Sequence, residues 1–216
     1  MRARVVLALA SVLSIVPVAA RADDQPPASI DAPPERRNGF MIGTAFDFGL
    51  VSASGYPNNA RFIGNGDYYV STGPMMGSTL SIFIMGAISD YMNVGFFMGG
   101  GGSQNDDFRV SNSAGGLRLD TFPLYHVHPQ LRDLGIRAQI GVGGTSIEVR
   151  RPGNWPSSDG TQSILGLGVF YEAVRPRVLG GHFVFGPSLD YDAIFSRSAT
   201  SHSFGLGVRL AWYGGP

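Results

Sequence analysis

The chain of 216 residues carries 16 acidic and 16 basic residues, every basic one an arginine, and no cysteine. Charged residues are 15% of the chain against roughly 25% in an ordinary soluble domain, and glycine, at 31 residues, is near twice its usual share of about 7%. This balance excludes a highly charged disordered chain and a basic nucleic-acid binder. The missing cysteines exclude a disulfide framework, a thiolate zinc site and a lipid anchor borne on cysteine.

Residues 1–22 read as a secretory signal peptide. Arg2 and Arg4 precede an apolar run from Val5 to Ala20 that only Ser11, Ser14 and Pro17 interrupt. Ala20-Arg21-Ala22 places small residues where a signal peptidase reads, so cleavage is expected near Ala22, before Asp23. The run is short for a membrane-spanning helix. Cleavage leaves 13 basic and 16 acidic residues, a net charge near −3. Residues 23–38 hold Pro26, Pro27, Pro33 and Pro34 and little that is apolar, the composition of a disordered linker.

From Phe40 onward the dominant signal is alternation with a period of two. Phe40, Ile42, Thr44, Phe46, Phe48 and Leu50 oppose Met41, Gly43, Ala45, Asp47 and Gly49. The pattern returns over residues 92–98, 136–142, 165–173 and 183–191. It is cleanest at 204–212, where Phe204, Leu206, Val208, Leu210 and Trp212 oppose Gly205, Gly207, Arg209 and Ala211. Residues 74–85, apolar on both faces, and 115–125, where Leu117, Arg118, Leu119 and Asp120 alternate, complete eight predicted strands without an amphipathic helix. Pro74, Pro123 and Pro187 cannot donate to a ladder, so each requires a strand end or a bulge.

The connections 52–70, 100–114, 144–162 and 193–202 are long and rich in Gly, Asn, Asp and Ser. Residues 86–90 and 174–181 are shorter, and 126–135 is intermediate. Alternating long and short connections predict an up-and-down antiparallel barrel with its long loops at one end. The face opposite the apolar one decides which side is inside. It is mainly glycine with a few ionisable residues, not the Lys, Glu, Thr and Gln of a water-facing strand. Glycine on an exposed strand is unfavourable. Inside a narrow barrel it leaves room for an occasional Arg, Tyr or Phe, and the apolar face then meets lipid. Phe40, Tyr68, Tyr69, Tyr91, Tyr125, Tyr191 and Trp212 fall near strand ends, where an interfacial girdle would lie. The fold class is all-β, an eight-stranded antiparallel up-and-down transmembrane β-barrel.

With a leader, eight alternating strands, alternating loop lengths and a terminal FGLGVRLAW, residues 39–213 resemble the small outer-membrane β-barrels of the OmpA/OmpX type. The resemblance implies insertion by the outer-membrane assembly machinery and contact with membrane lipid. Members of that group usually end on an aromatic residue; here Gly214, Gly215 and Pro216 follow Trp212 and Tyr213, which shifts any such signal onto Trp212.

Asp47, Arg118, Asp120, Arg137, Gln139, Glu172, Asp190 and Arg209 fall on the inner face. They are expected to form buried ion pairs that plug the lumen, with a narrow charged pore as the alternative. Arg137 and Glu172 are expected toward the periplasmic end, and Asp47, Arg118 and Asp190 toward the extracellular end. His126 and His128, with Asp133 nearby, make an H-x-H pair in a turn, read as solvated and not as a metal site. His202 beside Ser203 suggests a hydrolase, but adjacent strand residues point to opposite faces. Gly99 to Gly102 lack the lysine and the helix of a phosphate loop. Arg150, Arg151 and Trp155 are candidates for contact with lipopolysaccharide. The expectation is a structural or surface-interaction protein of the outer membrane without cofactor or catalysis. A lipid-modifying enzyme, a narrow solute pore and a soluble barrel with an apolar ligand are the alternatives.

Overall fold

The computed structural model describes Arg37 and residues 39–150, 161–173 and 175–214. The expected signal peptide, all of the expected linker but Arg37, and the loop residues Arg151 and Trp155 lie outside the described residues. The strands are β1 (Gly39–Gly55), β2 (Val70–Ser89), β3 (Met92–Gln104), β4 (Phe108–Thr121), β5 (Leu134–Val149), β6 (Thr161–Tyr171), β7 (Arg177–Val178), β8 (Gly181–Phe195) and β9 (Ala199–Gly214). Apart from β6 and β7, neighbours in sequence pair antiparallel; β1 pairs with β9, and β6 pairs with β8, which closes the sheet. Eight strands therefore make an up-and-down transmembrane barrel without free edges. The two-residue β7 is a rung on β8 below the wall, in a hairpin turned by Leu179 and Gly180, both with positive φ.

The alternation sorts as the composition argument requires. Phe96 at 68%, Leu206 at 66% and Val142 at 64% exposure point outward. The intervening positions point inward, where Asp120, Arg118, Arg209 and Met41 are almost fully buried. A closed ladder with an apolar outer belt satisfies its backbone internally, as a bilayer demands.

Each proline sits where its missing N–H does no harm. Pro74 pairs with Ser52 beside a register shift between Ser52 and Ser54. Pro123 lies beyond the end of β4. Pro187 follows the last β6–β8 rung, Phe170 with Ser188. Two residues earlier in β8, Phe185 O accepts from Ala173 N on that flank. By the same parity the Pro187 nitrogen faces β6 in the gap between that last rung and this bond, where the regular ladder lapses.

The connections differ from the sequence expectation. At the upper end, residues 56–69 form a long loop with one turn of 3-10 helix at Gly66–Tyr68. The strands, however, run on through the segments expected as loops at 100–114 and 193–202, leaving turns of only 105–107 and 196–198. Gly100, Gly101 and Gly102 pair with Ser113, Asn112 and Ser111. Backbone pairing needs no apolar side chains, so polar composition marks where the belt stops and not where the strand stops. The lower end carries the two-residue turn Asp90–Tyr91 and the longer connections 122–133 and 172–180.

Candidate functional site

The buried side chains of the inner face group in layers. At the lower mouth, Arg37 reaches in from ahead of β1 and is 2% exposed. Its Nε and one terminal nitrogen donate to Glu172 Oε2 at 3.1 and 2.9 Å, and that nitrogen also reaches Asp133 Oδ1 at 3.0 Å. Its backbone N–H donates to Asp90 Oδ1 at 3.0 Å, and its guanidinium lies 3.5 Å from the ring centre of Phe122. Arg175 also pairs with Asp133. Tyr213, inward at the end of β9, donates to Glu172 Oε1 at 2.7 Å and accepts from Asn93 Nδ2 at 3.2 Å. Burial alone would lower the pKa of Arg37, but the adjoining carboxylates, chiefly Glu172, outweigh it and hold it above the ordinary arginine value.

Above this mouth, Asp120 is shared by two arginines. Arg118 Nε donates to Oδ1 at 2.9 Å, and Arg209 makes an ion pair with Oδ2 at 2.7 Å. Phe83 lies 4.0 Å from the Arg118 guanidinium and 4.7 Å from that of Arg209, which also stands 3.9 Å from Phe170. The rings take the flat faces of the guanidiniums while the carboxylate takes an edge of each.

The next layer joins Arg137 to two carboxylates. Its Nε lies 3.2 Å from Asp190 Oδ1 and its terminal nitrogen 3.0 Å from Asp192 Oδ1. Gln139 Nε2 donates to the same Asp192 oxygen at 2.8 Å. Asp47 accepts from Ser188 Oγ at 3.0 Å and from Thr79 Oγ1 at 3.3 Å. Glycine opposite these groups supplies the room: a Cβ on Gly168 would strike the Asp190 carboxylate, one on Gly166 the Asp192 carboxylate and Gln139, and one on Gly207 the Asp47 carboxylate. Above lies a cavity of about 50 Å³ bordered by Asp47, Ser81, Asn112, Gln139, Asp192 and Ser203. Val51, Ala53, Met75, Val110 and Ile147 form an apolar cluster in the upper barrel.

All eight residues singled out from the sequence are buried, but Arg118 does not lie at its expected end. Arg118 lies three residues from the lower end of β4 and joins Asp120 and Arg209, not Asp47 and Asp190. Arg137 joins Asp190 and Asp192, while Glu172 belongs to the mouth with Arg37 and Tyr213. The depth of a residue depends on register and tilt, which spacing within one strand does not give. Among the participants without a clear mark in the sequence are Asp192, Tyr213 and Arg37. Asp192 shares the inner parity of Asp190 and lies one residue past the predicted end of its run. Tyr213 follows the outward Trp212. Arg37 stood in the segment taken for linker, without a local signal.

His202 and Ser203 face opposite sides: His202 is exposed and its Nδ1 lies 2.8 Å from Tyr191 Oη, whereas Ser203 borders the luminal cavity. The Asp133 near His126 and His128 is engaged by Arg37 and Arg175. Among the described residues no three His, Cys, Asp or Glu converge as a metal set. Arg150 Nη1 donates to Asn105 O at 3.2 Å, tying the residue after β5 to the β3–β4 turn.

No family model matches the chain, and no curated protein matches it. Among solved structures it is similar to Ail, the attachment invasion locus protein of Yersinia pestis, at 10% identity and a TM-score of 0.51, with 81% of this chain and 99% of that one covered. The N-terminal β-barrel domain of Pseudomonas aeruginosa OprF, at 14% identity, gives a TM-score of 0.42 over 81% of this chain and 98% of the other. Neisserial surface protein A, at 16%, gives 0.40 over 80% and 97%. The likeness to Ail speaks to fold alone. With the closed sheet and its topology, it gives this chain the fold of the small eight-stranded outer-membrane β-barrels.

Proposed function

We propose that the chain is an exported outer-membrane protein, cleaved near Ala22, whose barrel is a closed scaffold with a structural or surface-interaction role. The observation that carries this reading is the set of buried ion pairs and rings on the inner face. Arg37, Glu172 and Phe122 occupy the lower mouth, and the Arg118–Asp120–Arg209 group spans the interior between Phe83 and Phe170. An eight-stranded barrel leaves little beyond side-chain space, which supports a lumen too narrow to conduct. The upper end, with the 56–69 loop and the ribbon ends of β3 and β4, is then the face turned outward. Insertion by the assembly machinery and lipopolysaccharide contact at Arg150 belong to the same reading.

Two measurements test it. On fractionation, the protein should collect in the outer membrane and migrate faster on SDS gels unboiled than boiled. In planar bilayers it should show no steady single-channel steps, and Arg137→Ala and Glu172→Ala should stay silent. Steps in the unsubstituted protein that either substitution alters would replace the scaffold by a charge-lined pore. Recovery from the soluble periplasm without a mobility shift would remove the membrane assignment.

A further inference from the structure

The middle layer of the lumen is out of balance. Asp190 and Asp192 share a single guanidinium, that of Arg137, and Asp47 beside them is held by Ser188 and Thr79 and by no arginine among the described residues. Including the layer beneath, four carboxylates stand against three arginines, because Arg118 and Arg209 share Asp120. Carboxylates without matching positive charge are costly away from bulk water.

The space beside them is of the size and chemistry to correct this. Asp47, Asp190 and Asp192 border a small void of about 10 Å³ with Thr79 and Ser203. Asp47, Asp192, Thr79 and Ser203 also border the larger cavity of about 50 Å³ beside it. The two offer volume for a few water-sized occupants. The Asp192 side chain keeps 19% exposure in this interior, against 7% for Asp190 and 0% for Asp120, so it is open to the space.

A separate observation comes from Gln139. It is 4% exposed and borders the larger cavity, and its amide nitrogen is committed to Asp192. Its Oε1 is buried and accepts no hydrogen bond. A buried carbonyl oxygen without a donor calls for a positive or donating partner. The candidate ligands are all oxygen: carboxylates, an amide and the hydroxyls of Thr79, Ser81 and Ser203. Such a set suits hard cations and not zinc or copper. Since no three acidic or imidazole groups already converge at ligand distance among the described residues, an ion here keeps part of its water.

We propose that the luminal space above Arg137 is a cation site for a partly hydrated sodium- or calcium-type ion, held by Asp192 and Asp47 and by the Gln139 amide oxygen. The ion neutralises the surplus carboxylate charge and stiffens the barrel from inside. This role is independent of what the loops engage and of whether the lumen conducts.

The test uses the full chain purified from membranes in detergent and exchanged into choline chloride with a chelator. Sodium chloride or calcium chloride in excess of the chelator is then added at constant ionic strength. The temperature at which the fast-migrating band converts to the slow one is the readout. One of the two ions should raise that temperature by several degrees and saturably, and which one does so identifies the ion class. Asp192→Asn should lose most of the rise. Gln139→Glu, with a carboxylate aimed at the same space, should be less stable in choline and show a larger rise at several-fold lower ion concentration. Should Asp192→Asn fail to fold, Gln139→Glu alone decides. Equal responses to choline and to both ions, equal responses in the parent and Asp192→Asn, or an unchanged response in Gln139→Glu would overturn the site. So would stabilisation by acid alone with nothing added by either ion, which would mean that the carboxylates hold a proton.

Discussion

Replacing Asp120 by Asn removes the one negative charge that Arg118 and Arg209 share, with side-chain exposures of 0%, 2% and 2%. At about 4 Å between charge centres and an effective dielectric near 20, each attraction is worth about 4 kcal/mol. Relaxation and entry of water reduce the net loss, and breaking a buried pair commonly costs about 3–5 kcal/mol. Two arginines then face each other without relief, so the expected cost lies toward about 5 kcal/mol. Unfolding by urea in lipid vesicles, followed by tryptophan fluorescence, reads the change. The diagnostic variant is the double one. In the unsubstituted protein Arg209→Met should destabilise, because it strips a partner from Asp120. In the Asp120→Asn background it should stabilise, because it removes an unmatched charge. Additive effects of the two substitutions, or a loss below about 1 kcal/mol for Asp120→Asn, would refute the claim that this group acts as one unit.

Other expectations follow from the same description. Leu206→Arg places a charge on the lipid-facing wall, where 66% of the leucine is exposed; it should cost about 2–4 kcal/mol in vesicle unfolding, whereas Leu206→Phe should be nearly neutral. Gly168→Ala drives a Cβ into the Asp190 carboxylate and should cost about 1–3 kcal/mol, seen as a lower gel-conversion temperature. Arg37→Ala leaves Glu172 with Tyr213 and Arg175, so its cost should stay near 1–3 kcal/mol in the same unfolding assay. Leu179 sits at φ 54 in the β7–β8 turn and is 89% exposed. Leu179→Gly should therefore stabilise by about 1 kcal/mol, and a loss would show that the side chain is held by a partner.

The wall was legible in the sequence because side-chain alternation in a strand depends only on neighbours in the chain. Phe204 to Trp212 declared both faces within nine residues. The upper strand ends were not, because Gly99 to Gly102 and Ser111 to Ala114 are held by backbone pairing with each other, a long-range fact without a local mark. The same division holds inside. That Arg118, Arg137 and Arg209 point inward follows from parity, but which carboxylates Arg137 and Arg209 meet is set by register across the barrel. Glu172 illustrates it: its partners Arg37 and Tyr213 lie 135 and 41 residues away.

The pairing of β1 with β9 has a bearing on how such a wall is made. Sixteen rungs, from Phe40 with Gly214 to Gly55 with Ala199, join the first strand to the last. No part of that seam can form until nearly the whole chain is present, and its loop-closure entropy is the largest of any in the barrel. Every earlier pairing is between near neighbours and can zip progressively. The chain therefore passes through an open, curled sheet with two long unpaired edges, a species prone to join other edges. Its yield should depend less on how fast hairpins form than on how well those two edges are kept apart from strangers until they find each other.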